Sequence, residues 1–243
     1  MTHTVAGYPS MEKCEELVQV MDKAGVGFIE IQIPFSDPVA DGPTIMEANK
    51  VALDRGVKVE DCFMLMERLH EKVTTPLLFM SYFNILLQYG VNEFCKRAAE
   101  AGCYGLIVPD MPIDEEDAEG YLAACENYGL VAIQIVSPLT PNERLQKIGE
   151  VASGFVYCVA KYGVTGSVGG EIELSDYLKR VKKYVDVPLA VGFGISERKQ
   201  IEKVWQNAEI AVVGSAIIRL MNSEGLEAVQ RFLISITQPV SNK

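Results

Sequence analysis

Two acids stand eleven positions apart in the stretch FIEIQIPFSDPVADGPTI, residues 28–45. Glu30 interrupts an apolar run that reads as a strand. Asp41 lies beyond it, in a loop that has already passed two prolines. Side chains alternate along a strand, so Glu30 shares a face with Phe28 and Gln32. A carboxylate buried there without a partner is expensive, and must be neutral, paired or functional. A carboxyl group that projects from mid-strand into an interior can give and take protons. The structural alternative is an ion pair with a buried Lys or Arg, and no other apolar run carries one. Asp37 and Asp41 sit in Asp-Pro and Asp-Gly dipeptides, which also serve as plain turn formers.

Glycine clusters supply the second chemical signal. VGFGIS (191–196) and VGSAII (213–218) follow late apolar runs, and YGVTGSVGG (162–170) follows an earlier one. Glycine lets backbone N–H groups approach an anion, and Ser215 adds a hydroxyl, so the first two clusters read as a phosphate cradle. The third has the length and small residues of a lid. Tyr157 in GFVYCVA is either a core aromatic or a phenol at the site; the sequence alone leaves both open. With only two histidines, His3 and His70, acid–base work falls mainly to carboxylates. His70, in MERLHEK, reads as solvated, whereas His3 lies in or beside the first strand and can line a pocket.

Eight apolar runs must position these groups: 3–7, 27–33, 76–81, 105–109, 130–136, 154–160, 188–192 and 209–214. Each is aliphatic and too short for a helix, as expected of parallel strands buried on both faces. Amphipathic stretches alternate with them. Residues 10–24 gather Cys14, Leu17, Val18, Val20 and Met21 on one side, and residues 59–72 gather Cys62, Phe63, Leu65, Met66 and Leu69. Ser10 and Ser196 stand at N-cap positions, Asp114 opens an acidic first turn, and Gly25, Gly102 and Gly129 stand at C′ positions. The pattern predicts an α/β chain folded as one (β/α)8 TIM barrel over residues 1–243, with an open doubly wound sheet as the alternative. No G-x-G-x-x-G follows the first strand. In a barrel, functional groups gather at the C-terminal strand ends, and phosphate binds after strands 7 and 8.

Composition limits the partners. Acidic side chains outnumber basic ones, 33 to 22, for a net charge of −11, which argues against nucleic acid and anionic membrane. No apolar run is long enough to span a bilayer, and MTHTVAGYPS is unlike a signal peptide, so a cytoplasmic protein is expected. The six cysteines form no C-x-x-C pair, so they read as reduced, packed thiols, and no metal is expected.

Together these residues resemble the tryptophan synthase α-subunit family. EIQIPFSDPVADGPTI is similar to the family's E-L-G-x-P-F-S-D-P-x-A-D-G-P pattern. MSYFN (80–84), LIVPDMP (106–112), GFVYCVAKYGVTG (154–166), GFGIS (192–196) and VGSAII support it in register. The resemblance implies a lyase that splits indole-3-glycerol phosphate into indole and glyceraldehyde 3-phosphate by a retro-aldol step, late in tryptophan biosynthesis. It implies Glu30 and Asp41 as catalytic carboxylates, Tyr157 as the active-site tyrosine, and Thr165 as a lid residue that orders Asp41. Gly166, Gly194, Gly214 and Ser215 match the phosphate cradle; Met80, Ile107, Ile135 and Phe193 match the indole pocket. It further implies an αββα complex with a β subunit that receives the indole. Asp37, Asn84 and Pro112 would lie on the docking surface, and pyridoxal phosphate would belong to the partner only, with no cofactor in this chain.

The sequence departs from the family pattern in four places. The helix usually preceding strand 1 is missing, which predicts a less covered barrel base. Gln32 replaces the usual glycine, facing inward and expected to hydrogen-bond Glu30. His3 stands where an apolar aromatic residue is usual, and Lys161 replaces an arginine. Two rival readings follow: a binding module that mainly activates β, and a different phosphate-binding barrel enzyme. The latter calls for a Schiff-base lysine, for which only Lys161 stands near a strand end.

Overall fold

The computed structural model describes residues 1–160, 174–192 and 194–237. All eight anticipated strands form: β1 (Thr2–Val5), β2 (Ile29–Gln32), β3 (Leu77–Met80), β4 (Gly105–Ile107), β5 (Val131–Val136), β6 (Val156–Val159), β7 (Leu189–Gly192) and β8 (Ile210–Val212). They pair in parallel and in sequence order from β1 to β8. A bridge between Thr2 and Val213 closes the ring. His3 N–H donates to Val213 O at 3.1 Å, and Val213 N–H donates to Met1 O at 3.0 Å. Closure removes the free edges that an open sheet would leave.

The apolar runs are continuous because both strand faces are covered. Ile29, Ile31, Leu77 and Phe79 join the outer core beneath the helices. Leu78, Met80, Ile107, Ile133, Phe155, Ala190 and Val212 pack together inside the barrel. The parity that sends Leu78 and Met80 inward sends Glu30 and Gln32 inward as well, since the register pairs Glu30 with Leu78 and Gln32 with Met80. An acid and an amide thus enter the interior through ordinary strand alternation.

Helices fill the connections. Helix Met11–Lys23 buries Cys14, Leu17, Val18 and Met21, and its N-cap Ser10 hydroxyl accepts from Lys13 N–H at 3.3 Å. Helix Val59–His70 buries Cys62, Phe63, Leu65, Met66 and Leu69 and leaves His70 exposed. Gly25, Gly102 and Gly129 adopt φ of 75°, 82° and 70°, the left-handed turns expected just past helix ends. Ser196 is not an N-cap: Glu197 caps helix Arg198–Trp205. Gln200 Oε1 reaches back to accept from both Ser196 N–H at 2.7 Å and Glu197 N–H at 3.0 Å, which moves the cap one residue along. The acidic turn opened by Asp114 is a short 3-10 segment, Ile113–Glu115, that continues as helix Glu116–Glu119. The six thiols are free and buried. Among the described residues no helix is long and apolar enough to cross a membrane. At the barrel base, a cavity of about 210 Å³ lies between Met1, Phe28, Trp205 and Ile236.

Candidate active site

Glu30 is buried, with 5% of its surface exposed, and its partner is a histidine. The β1–β2 register places His3 directly beside it, and His3 Nδ1 lies 3.2 Å from Glu30 Oε1. A buried Lys or Arg partner is therefore not needed. Burial on its own would lower the His3 pKa. The Glu30 charge, the hydrogen bond to it and the Asp41 charge outweigh burial and raise it. His3 Nε2 is buried with no hydrogen-bond partner among the described residues. Along its Cβ–Cγ–Cδ2 edge the ring lies against Gly214, where an added Cβ would stand 3.4 Å from His3 Cβ.

Gln32 does not bond Glu30. Its Nε2–H donates to Asp41 Oδ2 at 2.6 Å and reaches Asn49 Oδ1 at 3.4 Å. The reason is geometric: Gln32 lies one full strand repeat further toward the mouth than Glu30, beneath the loop that doubles back over β2. That loop is pinned at several points. Asp41 N–H donates to Pro38 O at 3.0 Å, Ala40 N–H to the Tyr82 hydroxyl at 3.0 Å, and Phe35 N–H to Asn49 Oδ1 at 2.9 Å. Helix Pro43–Asp54 then begins, with Pro43 in the first turn, where its missing N–H costs nothing. Burial raises the Asp41 pKa, and the Glu30 charge adds to the rise. Gln32, His3 and Tyr82 oppose it without cancelling it.

Tyr157 enters the interior cluster from β6, half-buried. Burial raises its pKa, as do the charges of Glu30 and Asp41, so its phenol stays protonated at ordinary pH. It occupies space that Gly192 leaves free: an added Cβ there would lie 2.2 Å from the Tyr157 hydroxyl. Met80, Ile107 and Ile135 belong to the same apolar cluster, with Tyr82 and Phe35. Tyr82 and Phe35 stack at 5.2 Å between ring centroids.

Gly214 is the N-cap of helix Ser215–Glu224, so Ser215 lies in the first turn, where backbone N–H groups lack intrahelical acceptors. Gly194 has φ of 50°, a left-handed conformation that favours glycine. Both follow strands whose C-terminal ends face the same mouth as Glu30 and Asp41. Thr165, Gly166, Lys161 and Phe193 lie outside the described residues.

Asp37, Asn84 and Pro112 are exposed, on the segments that follow β2, β3 and β4. Asp110 ties two of these segments together by accepting from Phe83 N–H at 2.8 Å. Val39 and Leu139, on the loops after β2 and β5, are 65% and 71% exposed. Among the described residues no cluster of three His, Cys, Asp or Glu side chains suits a metal ion.

Sequence reasoning missed Asn49 and Tyr82. Asn49 had a signal: it stands on the same helical face as Ile45, Ala48 and Ala52, a lone amide among apolar residues. Tyr82 follows β3 directly, at the rim where barrel side chains act.

A barrel with carboxylates and helix N–H groups at its mouth suits acid–base work on an anionic substrate, and the class it defines is the (β/α)8-barrel enzyme. The family model described as tryptophan synthase alpha chain matches residues 1–239, and the chain belongs to that family. It is 44% identical to the tryptophan synthase alpha chain of Syntrophotalea carbinolica over 237 residues, covering 97% of this chain and 93% of the relative. The alpha chain of Methanocaldococcus jannaschii is 44% identical over 219 residues, covering 89% and 77%. Among solved structures, Mycobacterium tuberculosis tryptophan synthase superposes with TM-score 0.88 at 34% identity, covering 97% of this chain and 89% of that one. The tryptophan synthase complex of Pyrococcus furiosus gives TM-score 0.86 at 30% identity, covering 97% and 95%.

Proposed function

We propose that this chain cleaves indole-3-glycerol phosphate through Glu30 and Asp41, and passes the indole to a β subunit. One observation carries the mechanism: two carboxylates reach one barrel mouth with different partners, Glu30 against His3 and Asp41 against Gln32. Different surroundings allow different tasks.

Glu30, from inside the barrel, gives a proton to the indole ring carbon that bears the glycerol chain. The ring becomes an indolenine cation, and Asp41 stabilises it by accepting from the indole N–H. The glycerol hydroxyl next to that carbon then loses its proton to Glu30. Its oxygen becomes the aldehyde carbonyl, the carbon–carbon bond breaks, and the bonding pair returns to the ring. Indole and glyceraldehyde 3-phosphate result, and Glu30 regains the proton it gave. Tyr157 packs beside both acids, and Met80, Ile107, Ile135 and Phe193 enclose the ring. Gly166, Gly194, Gly214 and Ser215 hold the phosphate through backbone N–H groups, under a lid that includes Thr165.

Asp37, Asn84 and Pro112 form part of a docking surface for β in an αββα assembly. The exposed Val39 and Leu139 on neighbouring loops support this reading. Pyridoxal phosphate belongs to that partner, this chain needs no cofactor or metal, and the assembly works in the cytoplasm.

The test is indole release from indole-3-glycerol phosphate, with and without β, by the native chain and by Glu30→Gln. Turnover by the native chain and a loss of about a hundredfold or more in the variant are expected. Undiminished turnover by Glu30→Gln removes the mechanism. Native inactivity even with β favours a module that only activates its partner.

A further inference from the structure

The lyase mechanism described above uses Glu30 but leaves its buried partner without a task. His3 is 7% exposed, and its Nδ1 faces the Glu30 carboxylate at 3.2 Å from the adjacent strand. Its Nε2 is buried and makes no hydrogen bond among the described residues, an expensive position for a polar atom. The edge of the ring opposite Nδ1 rests on Gly214, the residue that caps helix Ser215–Glu224. The imidazole therefore stands between the carboxyl group that exchanges protons and the helix start that receives the phosphate.

We propose that His3 is a positioning residue that shares one proton with Glu30 through Nδ1 and donates from Nε2 to the glycerol chain of the bound substrate. This rests on the lyase reading of the same site. A buried carboxylate beside an imidazolium and a carboxylic acid beside a neutral imidazole are two arrangements of one proton. The pair can thus keep a proton on the imidazole and pass it through the carboxyl to the indole carbon. The same proton orients the carboxyl, and the second ring N–H meets an oxygen that only the substrate brings.

Among the described residues, four other groups bear on this titration. Glu30 faces His3 from β2, and Asp41 from the loop above it; both charges raise its pKa. The Met1 amine and the Tyr157 phenol each interact with Glu30. Gly214, against the Cβ–Cγ–Cδ2 edge, carries no charge. Because the His3 pKa is raised, the shared proton persists to higher pH and is lost as pH rises through that value. The alkaline limb of kcat/KM reports this loss.

The experiment compares native protein, His3→Phe and His3→Asn in complex with β, with kcat and KM measured across pH 5 to 9. His3→Phe removes both contacts; kcat falls about tenfold or more and the alkaline limb moves. His3→Asn keeps an N–H near the Nδ1 position, so it recovers part of kcat, while KM stays raised for want of Nε2. A native pH profile and native KM in both variants overturn the proposal. A second measurement needs no turnover: the imidazole titration of His3 followed by 15N NMR, with exposed His70 as the only other histidine. Glu30→Gln lowers the His3 midpoint if the pair is as described, and an unchanged midpoint overturns it. Native inactivity with an intact NMR response removes the lyase reading and Nε2's role, while the pairing stands.

Discussion

Gln32 Nε2 lies 2.6 Å from Asp41 Oδ2, so the last residue of β2 holds the acid of the loop that β2 feeds. The donor rises from a closed barrel and the acceptor hangs over it, so a soft loop takes its geometry from a stiff strand. The same amide nitrogen reaches Asn49, which in turn accepts from Phe35 N–H and donates to Ile45 O. The start of the loop, its acid and the following helix converge on one buried amide pair.

Removing that hold should disorder Asp41 before it unfolds the barrel. In Gln32→Gly, kcat/KM is expected to fall about tenfold, with most of the change in kcat, because Asp41 then keeps only its Tyr82 and Pro38 contacts until substrate binds. Hydrogen exchange of the amides of Val39 and Asp41 should speed up, while those of β2 and β3 stay protected. Unchanged exchange in the loop would show that Tyr82 and Pro38 suffice to hold it.

Asp41 carries a cost that should be visible as stability. Burial raises its pKa, so its charged form is the disfavoured one in the folded state. A carboxyl raised in this way stabilises the fold most below its unfolded pKa, and that contribution is lost as pH rises through the folded value. Asp41→Asn is thus expected to raise Tm at pH 7, and the gain should shrink as pH falls toward 4. Activity should fall about a hundredfold or more, since a neutral amide cannot stabilise the indolenine cation. Thermal melts at the two pH values, paired with indole release, check both halves. A Tm gain that is equal at pH 4 and pH 7 would remove the buried charge as its source.

Much of this arrangement was legible in the chain, for a simple physical reason. Parallel strands buried on both faces must read as short apolar runs, and eight such runs with helices between them have few ways to close. Strand alternation also put Glu30 and Gln32 on the inner face. Alternation gives a face but not a partner, and the partners were what sequence reading missed. His3 meets Glu30 because barrel closure fixes the β1–β2 register, which is a property of the ring and not of either strand. Gln32 reaches Asp41 and not Glu30 because the loop folds back over the strand end, a path that two proline-containing turns do not reveal. Ser196 lost its capping role to Glu197 through Gln200, a side-chain contact four residues away.

Gly192 tests the fit of Tyr157. An added Cβ would lie 2.2 Å from the tyrosine hydroxyl, so the ring must shift from its present position. Gly192→Ala is expected to cost roughly 1–3 kcal/mol of stability, the usual range for overpacking. It should also lower kcat. In the Tyr157→Phe background the nearest atom is gone and the next, the ring Cζ, stands at 3.0 Å, so the same Gly192→Ala change should cost less. A double-mutant cycle in urea measures the coupling. Strict additivity would place the strain elsewhere.

Asn49 offers the last test, because its amide and the Asp41 carboxylate meet at one Gln32 nitrogen. Asn49→Ala leaves Phe35 N–H without its acceptor and removes the longer of the two Gln32 contacts, at a cost of roughly 1–3 kcal/mol. Asn49→Asp keeps an oxygen for both donors but adds a second buried acid beside Asp41 and, when ionised, loses the bond to Ile45 O. Each carboxylate then disfavours ionisation of the other. The Asn49→Asp variant is expected to approach native stability near pH 4, where the new acid is protonated and can still donate to Ile45 O. It should lose stability steadily as pH rises to 8, whereas the alanine variant should differ from native by a nearly constant amount. Urea midpoints across that range separate the two patterns. If the aspartate variant were as stable at pH 8 as at pH 4, Asn49 and Asp41 would not be electrostatic neighbours, and the Gln32 bridge would be less closed than the geometry gives.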